Sequence, residues 1–186
     1  MRRPPSFAKL TPPILPEIVQ RPRLFRLLDK VRQRPVVWIA GPPGSGKTTF
    51  VASYLQAKAS SVLWYQLDAS DKDPATLFHY LGLAFRQANP RTRTLLPHLT
   101  PEYLLGLPIF AQRFFEQLFR RMPPEAVLVF DNYQVLTDDS PVHEVIRIAA
   151  SGLANGMRLI VMSRSKPPGT LARLQVEQRM ILIPVS

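Results

Sequence analysis

The chain contains no cysteine. Disulfides and thiolate metal sites are therefore excluded, and the composition fits a reducing compartment. No stretch approaches the roughly 18 apolar residues that a membrane-spanning helix requires. The N-terminus, Met1-Arg2-Arg3-Pro4-Pro5, holds no apolar run of signal-peptide length, so its arginine pair lacks an export context. A soluble, cytoplasmic protein without membrane contact is expected. Acidic residues are scarce too: 13 Asp and Glu stand against 24 Lys and Arg, a net charge of +11. That excess admits three explanations: nucleic-acid binding, attraction to acidic ligands, or a basic surface neutralised elsewhere in a larger protein. The cations are scattered (Arg2, Arg3, Arg21, Arg23, Arg26, Arg32, Arg34, Arg91, Arg93, Arg120, Arg121) and form no basic arm. No zinc-finger spacing or aromatic–basic RNA motif accompanies them, so charge alone makes a weak case for nucleic acid.

What is present is a chain of 186 residues, 46% hydrophobic, enough for about one domain with a substantial core. Its most informative stretch is Val36 to Thr49. An apolar run, Val36-Val37-Trp38-Ile39-Ala40, reads as a buried strand. It stops at Gly41, and Gly41-Pro42-Pro43-Gly44-Ser45-Gly46-Lys47-Thr48 fits the phosphate-loop pattern G-x-x-x-x-G-K-[ST]. Glycines there permit unusual backbone angles and let main-chain N–H groups turn toward an anion. Thr48 and Thr49 open a helix whose N-terminal donors also favour phosphate. Lys47 would reach the β- and γ-phosphates of ATP, and the Thr48 hydroxyl would sit on Mg²⁺. A glycine-rich turn that binds nothing is the alternative. The strand before, the helix after and Lys-Thr in register argue against it.

Residues 1–22 hold Pro4, Pro5, Pro12, Pro13, Pro16 and Pro22 and are expected to form an extended arm. Residues 23–186 would be the nucleotide-binding domain. Leu24, Leu27, Leu28 and Val31 recur at helical spacing. After the loop, Val62 to Leu67 reads as a second strand ending in Asp68. Asp73-Pro74 is an N-cap followed by a first-turn proline, opening a helix that ends near Asn89-Pro90. An irregular segment, Arg91 to Leu107, precedes an apolar helix through Phe114, Phe115 and Phe119. Ala126 to Phe130 is a strand ending in Asp131. A helix after Ser140-Pro141, a strand from Arg158 to Met162 ending at Ser163-Arg164, a short helix and a last strand from Met180 to Ile183 complete the pattern. Alternating apolar strands and helices predict an α/β fold, a parallel sheet covered by helices on both faces.

In such sheets ligands sit at the carboxyl ends of the strands. That rule gathers Gly41, Asp68, Asp131 and Arg164 into one candidate site. Asp131 is placed as the second magnesium anchor, the Walker-B aspartate. Asn132 occupies a position where a carboxylate would polarise an attacking water; an amide can orient water but cannot take its proton. Arg164 would stabilise the γ-phosphate or report its presence, or else is a surface arginine. Asp68 either caps the turn into the Asp71–Asp73 loop or contacts ligand. His79, His98 and His143 share no ligand spacing and read as helix-surface or capping residues. Trp38, Trp64, Tyr65, Phe114 and Phe115 read as core rather than a base-stacking surface.

Lys9-Leu10-x-Pro12-Pro13, Arg21-Pro22-Arg23-Leu24, the phosphate loop, Trp64-Tyr65-x-Leu67-Asp68-x-x-Asp71-x-Asp73, Val129-Phe130-Asp131-Asn132-Tyr133-Gln134 and Val161-Met162-Ser163-Arg164 follow one another in order. The series resembles the nucleotide-binding domain of the STAND ATPases, a branch of the ASCE phosphate-loop NTPases, and in particular the large LuxR-type bacterial transcription activators like that of the maltose regulon. The resemblance runs from about Lys9 to Pro184. It implies a signalling ATPase that switches between a closed ADP form and an open, multimerising ATP form. Lys47 and Thr48 would be its Walker-A residues, Asp131 its Walker-B residue and Arg164 its sensor arginine. Arg21 and Arg23 would match the segment that packs by the adenine. Two departures stand out. Asn132 replaces a second aspartate, so slow or no ATP hydrolysis is expected. The chain also stops at Ser186, before the helical, winged-helix, sensor and DNA-binding parts, so a fragment or a reduced stand-alone form is expected, with nucleic-acid contact left to the absent domains. The competing expectation is a module that holds nucleotide, hydrolyses nothing and serves oligomerisation.

Overall fold

The computed structural model describes residues 8–15, 22–93, 95–100, 106–154 and 156–185. Helix α1 (Pro22–Lys30) leads into β1 (Val36–Ala40), and α2 (Lys47–Ala57) into β2 (Val62–Gln66). Then come α3 (Pro74–Ala88), α4 (Leu107–Phe119), β3 (Val127–Asp131), α5 (Val142–Ser151), β4 (Arg158–Ser163), α6 (Gly169–Val176) and β5 (Met180–Pro184). The five strands form one sheet in the order β2-β3-β4-β1-β5, with every pairing parallel.

Parallel strands buried on both faces need apolar residues at odd and even positions alike, which is why these strands read as unbroken hydrophobic runs. The pleat then deals each strand's residues to two cores. Val36, Trp38, Tyr65, Leu128, Phe130 and Val161 face the core built with α3, α4, α5 and α6. Val37, Ile39, Trp64, Val129, Ile160 and Met162 face a smaller core with α1 and α2. Trp38, Trp64, Tyr65, Phe114 and Phe115 are all buried, as expected of core residues. Phe78 is wedged against Phe110 and Phe114 at centroid separations of 4.9 and 4.8 Å, locking α3 to α4.

Local chemistry sets the boundaries. Asp73 accepts a hydrogen bond from the Ala75 N–H, and Pro74 fills the first turn of α3, where its missing N–H costs nothing. Ser140 Oγ accepts from the Val142 N–H at the start of α5. Residues 8–10 form a 3₁₀ turn whose Leu10 is buried, whereas Pro12 and Pro13 are exposed and have no regular structure. Among the described residues no helix is long and apolar enough to cross a membrane.

Candidate functional site at the strand tips

The sheet register brings the carboxyl ends of β1, β4 and β5 level, with Ala40 opposite both Ser163 and Pro184. Gly41 leaves β1 beside Val185, whose carbonyl would lie 2.2 Å from any Cβ at position 41. Glycine is required there by close approach. At Gly44 and Gly46 the requirement is conformational, with φ of 76° and 75°. Pro43 and Gly44 form the exposed tip of the loop, and Ser45, Gly46, Thr48 and Thr49 are half-buried. Gly46 is the cap of α2 and no side chain caps that helix end, so its first-turn N–H groups point at the loop's concavity.

Lys47 is the first residue of α2 and folds back over the loop. Its ammonium donates to the carbonyls of Gly41 (2.7 Å) and Pro42 (2.9 Å) and to Ser45 Oγ (3.2 Å). Partial burial lowers its pKa; Asp131 opposes that shift and Arg164 adds to it. Among the described residues its bonded partners are neutral oxygens. Asp131 ends β3 and is buried. Its Oδ2 accepts from Thr48 Oγ1 at 2.8 Å, and its Oδ1 accepts from the Asn132 N–H at 2.7 Å. Burial pushes the Asp131 carboxyl above its ordinary range, against the pull of Thr48, the Asn132 N–H and the Lys47 charge.

The Thr48–Asp131 contact is the pair of oxygens that a magnesium ion would need beside the phosphates. Magnesium keeps several waters and takes one or two protein oxygens. A hydroxyl and a carboxylate held 2.8 Å apart at the mouth of an uncapped helix fit that demand. Among the described residues no three His, Cys, Asp or Glu side chains converge as a self-sufficient metal cage.

Asn132 sits in the left-handed region, φ 61° and ψ 32°, at the entry to a 3₁₀ turn, Tyr133–Val135. Its side-chain Nδ2 donates to the Leu67 carbonyl at 3.0 Å, and its Oδ1 accepts from Gln134 Nε2. Both ends of the amide are thus engaged with neighbouring protein groups. Arg164 is exposed at the β4 tip, near enough to Lys47 to lower its pKa, and among the described residues no carboxylate pairs with either cation.

Arg23 lies on α1, on the wall of a cleft of about 740 Å³. Arg26 and Lys30 share that wall, and Pro184 and Val185 form the other, directly beside Gly41. Arg21 lies outside the described residues. Asp68 resolves as a cap. It accepts from the Ser70 N–H at 2.9 Å, while Asp71 accepts from the Asp68 N–H at 2.8 Å, a reciprocal capping box. Two features escaped the sequence reading. His143 is buried rather than on the helix surface, because it bonds the hydroxyl of buried Tyr133 (2.9 Å) and lies 2.9 Å from the Thr137 carbonyl. Lys9 bridges Asp68 (2.8 Å) and Asp71 (2.9 Å) beneath the Tyr80 ring. Its partners are more than fifty residues away, beyond any local spacing signal.

A parallel sheet, a phosphate loop at a central strand tip and a Thr–Asp pair beside it define a phosphate-loop nucleotide-binding module. A family model described as AAA domain matches residues 30–162, and the chain belongs to that family. It is 32% identical over 184 residues to the HTH-type transcriptional regulator MalT of Vibrio cholerae, covering 95% of this chain and 19% of that protein. It is likewise 32% identical over 177 residues to MalT of Serratia proteamaculans, covering 94% of this chain and 19% of the relative. The chain therefore spans about a fifth of the length of these relatives. Among solved structures, Drosophila ORC bound to AT-rich DNA and Cdc6 matches with a TM-score of 0.53 at 11% identity, covering 87% of this chain and 54% of the other, a likeness of fold alone.

Proposed function

We propose that this chain is the ATP/ADP-binding switch module of a STAND-type bacterial regulator, working with Mg²⁺ and hydrolysing ATP slowly or not at all. The observation that carries the reading is the unneutralised charge at the loop. Lys47 rests on neutral oxygens and, among the described residues, Arg164 has no carboxylate partner; both stand beside an uncapped helix N-terminus and the Thr48–Asp131 pair. Two such cations side by side repel each other, and a polyphosphate satisfies both. Lys47 and the loop N–H groups of Gly44, Gly46, Thr48 and Thr49 take the phosphates, and Ser45, whose N–H donates to the Pro42 carbonyl at 3.3 Å, lines the loop. Thr48 and Asp131 would hold the magnesium, which would supply charge neutralisation to the phosphates. Arg164 reads the γ-phosphate, and the cleft beside Arg23 accepts the base and ribose. The boundary expected from the sequence, an arm over 1–22 and a nucleotide domain over 23–186, belongs to this proposal, as does self-association in the ATP form.

Slow turnover is favoured by Asn132, whose amide is held by Leu67 and Gln134 and has no basicity. General-base assistance contributes ~10²–10⁴-fold, so wild-type protein under saturating ATP is expected to release phosphate over hours. Asn132→Asp should raise that rate toward the lower end of the range. Because the new carboxylate faces the Leu67 carbonyl, a lower melting temperature should accompany it. Brisk wild-type hydrolysis, unchanged in Asn132→Asp, would place the base elsewhere. Identifying the nucleotide retained on purification, by chromatography after denaturation, tests the switch itself: bound ADP supports it.

A further inference from the structure

Three strand tips at the site are joined by a chain of side-chain amides. The Arg164 N–H donates to Gln134 Oε1 at 3.1 Å. Gln134 Nε2 donates to Asn132 Oδ1, and Asn132 Nδ2 donates to the Leu67 carbonyl at 3.0 Å. Gln134 therefore ties β4 to β3, and Asn132 ties β3 to the segment after β2. The chain starts beside Asp131, whose own Oδ1 takes the Asn132 N–H.

The turn that carries Arg164 is also pinned on its other side. Ser165 N donates to Ser163 Oγ at 3.2 Å, and the Ser165 carbonyl accepts from Trp38 Nε1 at 2.9 Å. Trp38 is buried in β1, so that side of the turn is fixed to the strand carrying the phosphate loop. Gln134 is the link from the opposite side. An amide can serve both links at once because it carries a donor and an acceptor. An isosteric apolar side chain would break both.

We propose that Gln134 is a positioning residue for γ-phosphate recognition: it holds the backbone of Arg164 in register with Asp131, so that the guanidinium meets the terminal phosphate of a nucleoside triphosphate. The inference rests on the reading of Arg164 given above. Gln134 is assigned no contact with nucleotide or magnesium. Its effect is confined to the part of binding that distinguishes ATP from ADP.

The test measures ATP and ADP dissociation constants by calorimetry, with Mg²⁺, in wild type, Gln134→Met, Arg164→Ala and the double variant. A charged hydrogen bond to phosphate is worth at least about tenfold in affinity. Arg164→Ala should reduce the ATP-over-ADP preference by at least about that factor. Gln134→Met should remove most of the same preference while leaving ADP affinity within about threefold, and the double variant should lose no more than Arg164→Ala alone. Gln134→Asn, too short to span both partners, should fall between wild type and Gln134→Met. Preference retained in Gln134→Met, equal loss of ATP and ADP affinity, or multiplicative losses in the double variant would each overturn the proposal. If Arg164→Ala itself leaves the preference unchanged, the γ-phosphate reading fails and the inference fails with it.

Discussion

Two places on the same edge of the sheet set a lysine among aspartates, and they end in opposite conditions. At the tip of β2, Lys9 bridges Asp68 and Asp71, its ammonium 4.3 Å from the Tyr80 ring centroid, while Tyr65 donates its hydroxyl to Asp71. Every charge there has an opposite charge in contact. At the tips of β1 and β3, among the described residues, Lys47 bonds neutral oxygens alone, and Asp131 receives a hydroxyl and an N–H. The first arrangement joins residue 9 to the domain. The second, on the proposed function, leaves charge for a ligand to satisfy. Motif position alone does not separate strand-tip carboxylates such as Asp68 and Asp131. What surrounds them does.

The largest effect that would sharpen this contrast is on stability. Asp71 is fully buried, so Lys9→Ala strands a carboxylate that keeps only neutral donors. Breaking one side of a buried pair costs about 3 kcal/mol. Urea denaturation should read that loss, with ATP affinity within about twofold of wild type. Lys47→Ala should do the reverse. Calorimetry should show ATP·Mg²⁺ binding weakened by at least ~1.5 kcal/mol, with the melting temperature unchanged.

Smaller still is the effect at Asp131. Its carboxyl is pushed up by burial, a cost the folded protein bears when the group is ionised without a cation. Asp131→Asn should raise the melting temperature of the nucleotide-free protein slightly and abolish the strengthening of ATP binding by Mg²⁺. An unchanged magnesium dependence would move the metal site away from the Thr48–Asp131 pair.

The least effect concerns acid. Burial opposes ionisation of Asp68, but hydrogen bonds from Lys9 and Ser70 prevail and hold its carboxyl below the ordinary range. Stability from a depressed carboxylate is fully present above the unfolded value, about 3.9, and is lost as pH falls through the lower folded-state value. Wild-type stability should therefore decline across that acid window, and the decline should flatten in Lys9→Ala. Equal slopes in the two proteins would detach Lys9 from the titration.

Much of this was legible in the chain. The phosphate loop, Asp131 and Arg164 stand where strand-tip logic puts them, because an apolar run long enough to cross the sheet leaves its next polar residue at the edge. Asp73-Pro74 announced the start of α3 by local capping chemistry alone. What was not legible depended on contacts distant in sequence. Gln134 could be seen two residues beyond Asn132, but its other partner is the Arg164 N–H, thirty residues on. The need for glycine at 41 comes from the Val185 carbonyl, which no loop pattern encodes. His143 looked peripheral because a helix start reads as surface; Tyr133 draws it inward, since a buried phenol requires a partner.

Ligand-linked stability separates the two lysines most directly. Wild type, Lys9→Ala and Lys47→Ala would each be denatured in urea with and without ATP·Mg²⁺ at about one hundred times the wild-type dissociation constant, where binding adds ~2.7 kcal/mol. Wild type and Lys9→Ala should gain that increment alike, from different starting stabilities, and Lys47→Ala should gain much less. An equal gain in Lys47→Ala, or its loss in Lys9→Ala, would contradict the division between a charge that holds the fold and a charge kept for the ligand.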